Sequence, residues 1–390
     1  MELERVIEFA ENRIWKLKSG NFYIRKTIEL PSNITLLGNE TTFFVDDNSE
    51  LPIFRINNTH NIVIKNIKIK GDKCNVDISK EKMEYFNHNY FVEIKNAGKI
   101  KIDNCDFSNS YGTVIKIMDS KNVDVVSTQF KNIGVATQKN ISYSYDGIFI
   151  GGYHEACNIN ITACQFENIG ANFPSGNPPW PNDGDGVHIQ GVGKVSDVTI
   201  QNSRFISCSA RGVKIQTGNN INILRNNFQN CRSAVNMAMA KPIHQINLSG
   251  NQINNCQMTF GTDGGKDVST VTDLKITNNT VDSCEHFLRT SGNSIVNKAL
   301  IVNNIVGRVG TYFLLGRFLD TEVKQNKINE YATIKDGSYN MAIYLSPESD
   351  NVQIINNSFI KNDKSNREII NKSNKRILIK QNIFLEKSRY

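Results

Sequence analysis

Asn220-Ile221-Asn222-Ile223, followed by Asn226 and then Phe228, is the stretch that decides the fold. Its pattern is Asn or Asp, apolar, polar, apolar. It returns as Asn122-Val123-Asp124-Val125, Asn158-Ile159-Asn160-Ile161, Asp197-Val198-Thr199-Ile200, Asp273-Leu274-Lys275-Ile276 and Asn351-Val352-Gln353-Ile354. Self-similarity over a few tens of residues marks a solenoid, in which a repeat buries its apolar face only against its neighbours. Period-two alternation makes the repeating element a strand. Thirteen such phrases are anchored at Ile34, Ile62, Ile100, Val123, Ile159, Val198, Ile221, Ile246, Leu274, Leu300, Val323, Val352 and Ile377, most of them 23 to 29 residues apart. The expected fold is therefore all-β: a single-stranded parallel β-helix of about thirteen coils, each of three short strands and their bends. Asn226, Asn251, Asn279, Asn357 and Asn382 each stand five residues after an anchor. Asn tolerates a bend and can bond to an Asn stacked above it, so a column of Asn is expected along the coils.

Cys208, Cys231, Cys256 and Cys284 keep the same spacing and are expected as reduced, buried packing residues, without zinc-type spacing. With 390 residues and 39% hydrophobic content, the chain can bury a large core. Leu3, Val6, Ile7 and Ala10 fall at helical spacing, so Glu2–Asn12 reads as an amphipathic helix capping the first coil. The organisation expected is a cap over 1–20 and one β-helix domain over 21–390. No stretch is long and apolar enough to span a bilayer, and the first twenty residues are not signal-like, so a membrane role is not expected. The net charge of +7 is spread without a dense basic block, which disfavours nucleic acid as a partner and suits an anionic polymer or an ordinary solvated surface.

Phe22-Tyr23-Ile24 and Thr27-Ile28-Glu29-Leu30-Pro31-Ser32-Asn33-Ile34-Thr35-Leu36-Leu37-Gly38 resemble the first-coil segment of pectate-lyase-like right-handed β-helix proteins. That superfamily includes polysaccharide lyases, polygalacturonases, sugar epimerases and phage tailspike depolymerases. With the repeat, the resemblance spans nearly the whole chain. It implies a right-handed coil, a polysaccharide substrate and an extracellular or virion-associated setting, with a homotrimer if the chain is tailspike-like. It leaves the reaction open, because one scaffold hosts many chemistries.

Three steps between anchors are too long, which places insertions near 70–92, 134–145 and 171–184. Long loops on a regular scaffold tend to be functional. The third holds four of the eight prolines together with Phe173 and Trp180, a stiff loop that would either wall a sugar ring or pack back on the coil. Directly after the second and third insertions come Asp146-Gly147-Ile148-Phe149-Ile150 and Asp185-Gly186-Val187-His188-Ile189, then Arg211-Gly212-Val213-Lys214-Ile215 and Ser233-Ala234-Val235-Asn236-Met237. With the third and fifth positions pointing inward, the first and fourth are expected on an exterior wall. One column then reads Asp146, Asp185, Arg211; the other reads Phe149, His188, Lys214, Asn236.

Hydrolysis of a glycosidic bond needs two carboxyl groups, one to protonate the leaving oxygen and one to activate water or attack carbon. Asp146, Asp185 and, just upstream, Asp183 are the expected acid and base groups; His188, Arg211 and Lys214 would hold an anionic substituent or stabilise charge. Phe149, Phe173, Trp180, Gln216 and Asn236 are the expected sugar contacts. The order of strands resembles the polygalacturonase series NTDG, GDD, GHG, RIK: Asp146-Gly147 matches the first, and Asp183-Gly184-Asp185 stands where GDD would be. Gly184 takes the place of that family's acid, Arg211 stands near its histidine and Asn236 near its arginine, which argues against a polygalacturonase proper. The hydrolase reading needs no cofactor. The competing reading is a lyase or uronate epimerase, with Ca²⁺ on Asp146 and Asp185 and His188, Lys214 or Arg211 abstracting a C5 proton. A third is a non-catalytic adhesin or tailspike module, in which each Asp-Gly is only a bend. His244 and His286 show no convergent partners in the sequence.

Overall fold

The structure, a computed structural model, describes residues 7–386 apart from 46–48, 50, 72–89, 111, 135–142, 171–181, 240, 265–268, 332–340 and 362–366. Thirty-nine strands and no helix occur among the described residues. Internal contacts divide the chain into two compact units, Met1–Gly212 and Val213–Tyr390.

Where a capping helix was expected over Glu2–Asn12, the described part is a strand, Ile7–Glu11, paired antiparallel with Ile14–Leu17. Asn12 and Arg13 both have positive φ, the left-handed pair that a two-residue hairpin turn requires, and a hairpin cannot continue as a helix. Ile14–Leu17 in turn pairs with Thr35–Leu37, so the first coil is covered by a strand. From there the anchors run in parallel register, Ile34 opposite Ile62, Ile62 opposite Ile100, Ile100 opposite Val123, Val123 opposite Ile159 and Ile159 opposite Val198. The Asn or Asp that opens each phrase is the bend itself: Asn122, Asn158 and Asp197 have φ of 56°, 54° and 56°, a region that short polar side chains enter at least cost. Inside the coil Phe130, Phe166 and Phe205 stack face to face with centroids 4.7 Å apart and no exposure. Offset ring stacking of this kind adds to area burial by about 0.5–1.5 kcal/mol per pair.

The second unit carries the Asn column, longer than expected: Asn226, Asn251, Asn279, Asn304, Asn326, Asn357 and Asn382. In each step the backbone N–H and side-chain Nδ2 of one Asn both donate to Oδ1 of the next, at 2.9–3.3 Å. Asn304 and Asn326 come from a second correction. Lys275 stands opposite Leu300 and Ile276 opposite Ile301, which itself faces Val323. Leu300 is therefore one residue, and Val323 two, past the true anchor column, which Thr321 and Val352 share. Small residues occupy the column there, so an apolar pattern slides past them. Among the described residues no cysteine is in a disulfide, and Cys208, Cys231, Cys256 and Cys284 are buried, with Cys256 opposite Cys284. The neighbouring Cys231 thiol and burial together push the Cys256 thiol well above its usual range, so it is chemically inert.

Candidate active site

The strands Tyr143–Gly152 and Asn182–Gly191 begin inside the second and third expected insertions. They pair in register, Asp146 opposite Asp185 and Phe149 opposite His188. The glycine after each Asp is set by packing, since both lie within strands and neither forms a bend. A Cβ on Gly147 would lie 2.6 Å from the Phe166 ring and 2.7 Å from the Gly186 carbonyl; one on Gly186 would meet Phe205 and the Gly212 carbonyl equally closely. The stacked phenylalanines thus press against the backbone that carries the carboxylates.

The first and fourth positions are not the open wall that alternation suggested. Asp146 is 2% exposed, Asp185 0% and His188 3%. Burying carboxylates is expensive unless they are compensated, and here each has partners. Thr113 Oγ1 donates to Asp146 Oδ2 at 3.3 Å and accepts the Asp146 backbone N–H at the same distance. His188 Nδ1 lies 3.4 Å from Asp146 Oδ2, its ring edge-on to Phe149 at 5.4 Å. The Arg211 guanidinium is 3.5 Å from Asp185 Oδ1 and gives it a counter-charge. One ligand atom from each of Asp146, Asp185 and His188 falls within 4.8 Å of the others, so these three could hold a divalent ion. Two carboxylates and an imidazole nitrogen fit a transition metal better than Ca²⁺, which takes six to eight oxygens, and the Arg211 cation opposes either.

Three neighbours were missed by the sequence reading: Tyr90, Thr113 and Lys116. Lys116 stands opposite Phe149 on one side and Glu93 on the other. Its ammonium donates to the Tyr90 hydroxyl and sits 4.4 Å from the centre of that ring and 5.5 Å from that of Phe149. Burial lowers the Lys116 pKa, partly offset by Glu93 and Asp146; burial, with the charges of Glu93 and Asp146, lifts the Tyr90 phenol to about 12. The five-residue phrase would have found them if read backwards along the chain, as Thr113-Val114-Ile115-Lys116-Ile117 and Tyr90-Phe91-Val92-Glu93-Ile94.

Phe149 is half-buried between Lys116 and His188, not an open platform. Asp183 stands opposite Ser144 in the strand register, and its side chain, like Phe173 and Trp180 altogether, lies outside the described residues. Lys214, Gln216 and Asn236 belong to the second unit, where buried Asn236 donates to Asp263 Oδ2 at 2.8 Å. His286, expected to have no convergent partners, has several: Nδ1 lies 2.6 Å from Thr311 Oγ1, Nε2 3.3 Å from Glu285, and the ring stacks on Tyr312 at 4.3 Å.

Comparison with known proteins agrees with this architecture. The family model described as right handed beta helix region matches residues 175–328. No curated protein sequence matches the chain. Among solved structures, a mutant tailspike protein of E. coli bacteriophage HK620 in complex with pentasaccharide is similar at 10% identity and a TM-score of 0.56, over 94% of this chain and 72% of that one. PfbA, a surface adhesin of Streptococcus pneumoniae, aligns at 18% identity and 0.49, over 96% and 84%. A hyperthermoactive exopolygalacturonase from Thermotoga maritima aligns at 11% and 0.45, over 95% and 84%. The fold is a right-handed parallel β-helix.

Proposed function

We propose that this β-helix is a polysaccharide depolymerase that hydrolyses glycosidic bonds at Asp146 and Asp185. The observation that carries the reading is the pairing of two buried carboxylates on adjacent strands, each with its own cationic or polar partner, on a strand face that ordinarily would be solvated. Enclosed ionisable groups brought together in this way concentrate at functional sites. Asp185, beside Arg211, is the carboxylate that acts ionised; Asp146, between Thr113 and His188, hands the proton to the leaving oxygen. Carboxylate oxygens within 4.8 Å are closer than the roughly 6.5–9.5 Å that admits a water between them, so retention of anomeric configuration is the expected outcome. The reaction requires the sugar to reach side chains that are closed from solvent in this conformation. A tailspike of the same fold solved with a pentasaccharide supports an oligosaccharide as ligand and an extracellular or virion-associated setting.

The closure of Asp185 favours a second reading, a β-helix that grips a polysaccharide without cutting it. One assay separates them. The full chain is incubated with a panel of bacterial and plant polysaccharides, with and without chelator. New reducing ends without ultraviolet-absorbing product support the hydrolase. Chelator-sensitive unsaturated product refutes it in favour of a lyase, and binding without either product favours the gripping module.

A further inference from the structure

The fourth-position column carries charge of alternating sign on consecutive strands: Glu29 opposite Arg55, Arg55 opposite Glu93, Glu93 opposite Lys116. Arg55 is satisfied on both sides, 2.7 Å from Glu29 Oε1 and 3.0 Å from Glu93 Oε2. Glu93 is thereby committed to Arg55, and Asp146 to Thr113 and His188. Lys116 is the cation left over: among the described residues its ammonium makes no ion pair and spends one of its three donors, on the neutral Tyr90 hydroxyl. It is only half-buried, on the strand next to that of Asp146, with aromatic rings on two sides. A half-buried ammonium with no ion-pair partner in contact is unfavourable: burial lowers the Lys116 pKa, and the charges of Glu93 and Asp146, beyond contact distance, offset this only in part. The arrangement leaves a charge and two donors unspent between two aromatic side chains, one buried (Tyr90) and one half-buried (Phe149).

We propose that Lys116, walled by Tyr90 and Phe149, is the specificity residue that binds the monoanionic substituent, a carboxylate or a sulfate ester, of an acidic sugar unit lying against Asp146. Only the sugar nature of the ligand rests on the function proposed above; the need for an anion comes from the unpaired charge. A single ammonium matches a single negative charge, and aromatic neighbours weaken solvent screening of the pair. His188 and Lys214, the cations that the sequence suggested for this task, are nearly closed from solvent.

The test reads Lys116 directly. The full chain is labelled with trace acetic anhydride, and acetylation of Lys116 is followed by mass spectrometry with polygalacturonate, hyaluronate or dextran sulfate present. Carboxyl-reduced polygalacturonate and plain dextran serve as neutral counterparts. At least one acidic polymer should slow Lys116 labelling while its neutral counterpart does not; carboxylated against sulfated polymers identify the anion. Lys116→Gln, which keeps a donor for Tyr90, should weaken binding of that polymer about tenfold, the equivalent of about 1.4 kcal/mol. Equal protection by a neutral counterpart, no protection by any acidic polymer, or unchanged affinity of K116Q overturns the assignment. Cleavage of a neutral polymer without protection of Lys116 removes this proposal and keeps the hydrolase. Protection by an acidic polymer that is never cut does the reverse.

Discussion

The strand columns of the two units use buried polar groups in opposite ways. In the second unit, one residue type at one position repeats from Asn226 to Asn382, and each Oδ1 accepts two bonds from the Asn before it. In the first unit, the equivalent position after the bend holds Cys105, Thr128, Cys164 and Ser203, where a step carries one backbone-to-hydroxyl bond in place of two, as in Cys105 N–H to Thr128 Oγ1 at 3.4 Å and Cys164 N–H to Ser203 Oγ at 3.1 Å. That same unit buries Asp146, Asp185 and His188. A periodic ladder of satisfied amides is a stability device, while an aperiodic cluster of ionisable groups is hard to account for by stability alone. Regularity therefore separates scaffold from site within one solenoid.

The largest expected effect would break this division if it failed. Asp146→Asn should lower turnover on whichever polymer is cut by about 10²–10⁴-fold, the usual worth of a positioned proton donor, with the melting temperature unchanged or raised. A variant that melts early instead would make Asp146 a structural residue. Next comes the ladder. Asn279→Leu deprives the Asn251 N–H and Nδ2 groups of their acceptor and should cost about 3 kcal/mol in a denaturant titration, against about 1 kcal/mol for Thr128→Val in the first unit. Equal losses would show that the two ladders carry the same load.

The smallest effect sharpens the site. With the Tyr90 pKa raised to about 12, the wild-type minus Tyr90→Phe difference in alkaline tyrosinate absorbance should titrate near that value; a component near 10 would mean an open phenol. The linkage has a definite sign. Unfolded Tyr loses its proton near pH 10 and the folded form keeps it until about 12, so Tyr90 subtracts stability as pH rises through that interval. Lys116 acts oppositely: its lowered pKa means that the folded chain releases a proton before the unfolded one, so stability gains as pH rises towards the ordinary lysine value.

How far each feature could be read locally follows from its range. The coil, its strands and its bends are encoded within a few residues, because period-two alternation fixes which side chains point inward and Asn or Asp accepts positive φ at low cost. That is why the anchors from Ile34 to Val198 stand in register as read. The reading slipped where small residues hold the anchor column, at Leu300 and Val323, and with it Asn304 and Asn326 were lost. It failed at the first strand, where a hairpin turn at Asn12-Arg13 overrode a helical spacing.

The repeat by itself determined the β-helix and brought Asp146 beside Asp185, since neighbouring coils in a parallel solenoid must align like positions. Only the folded molecule decided that these groups are enclosed, that Thr113, Arg211 and His188 partner them, and that Lys116, between Tyr90 and Phe149, makes no ion pair among the described residues. Burial and pairing depend on what packs across the strands from residues distant in sequence, and no local pattern carries that information.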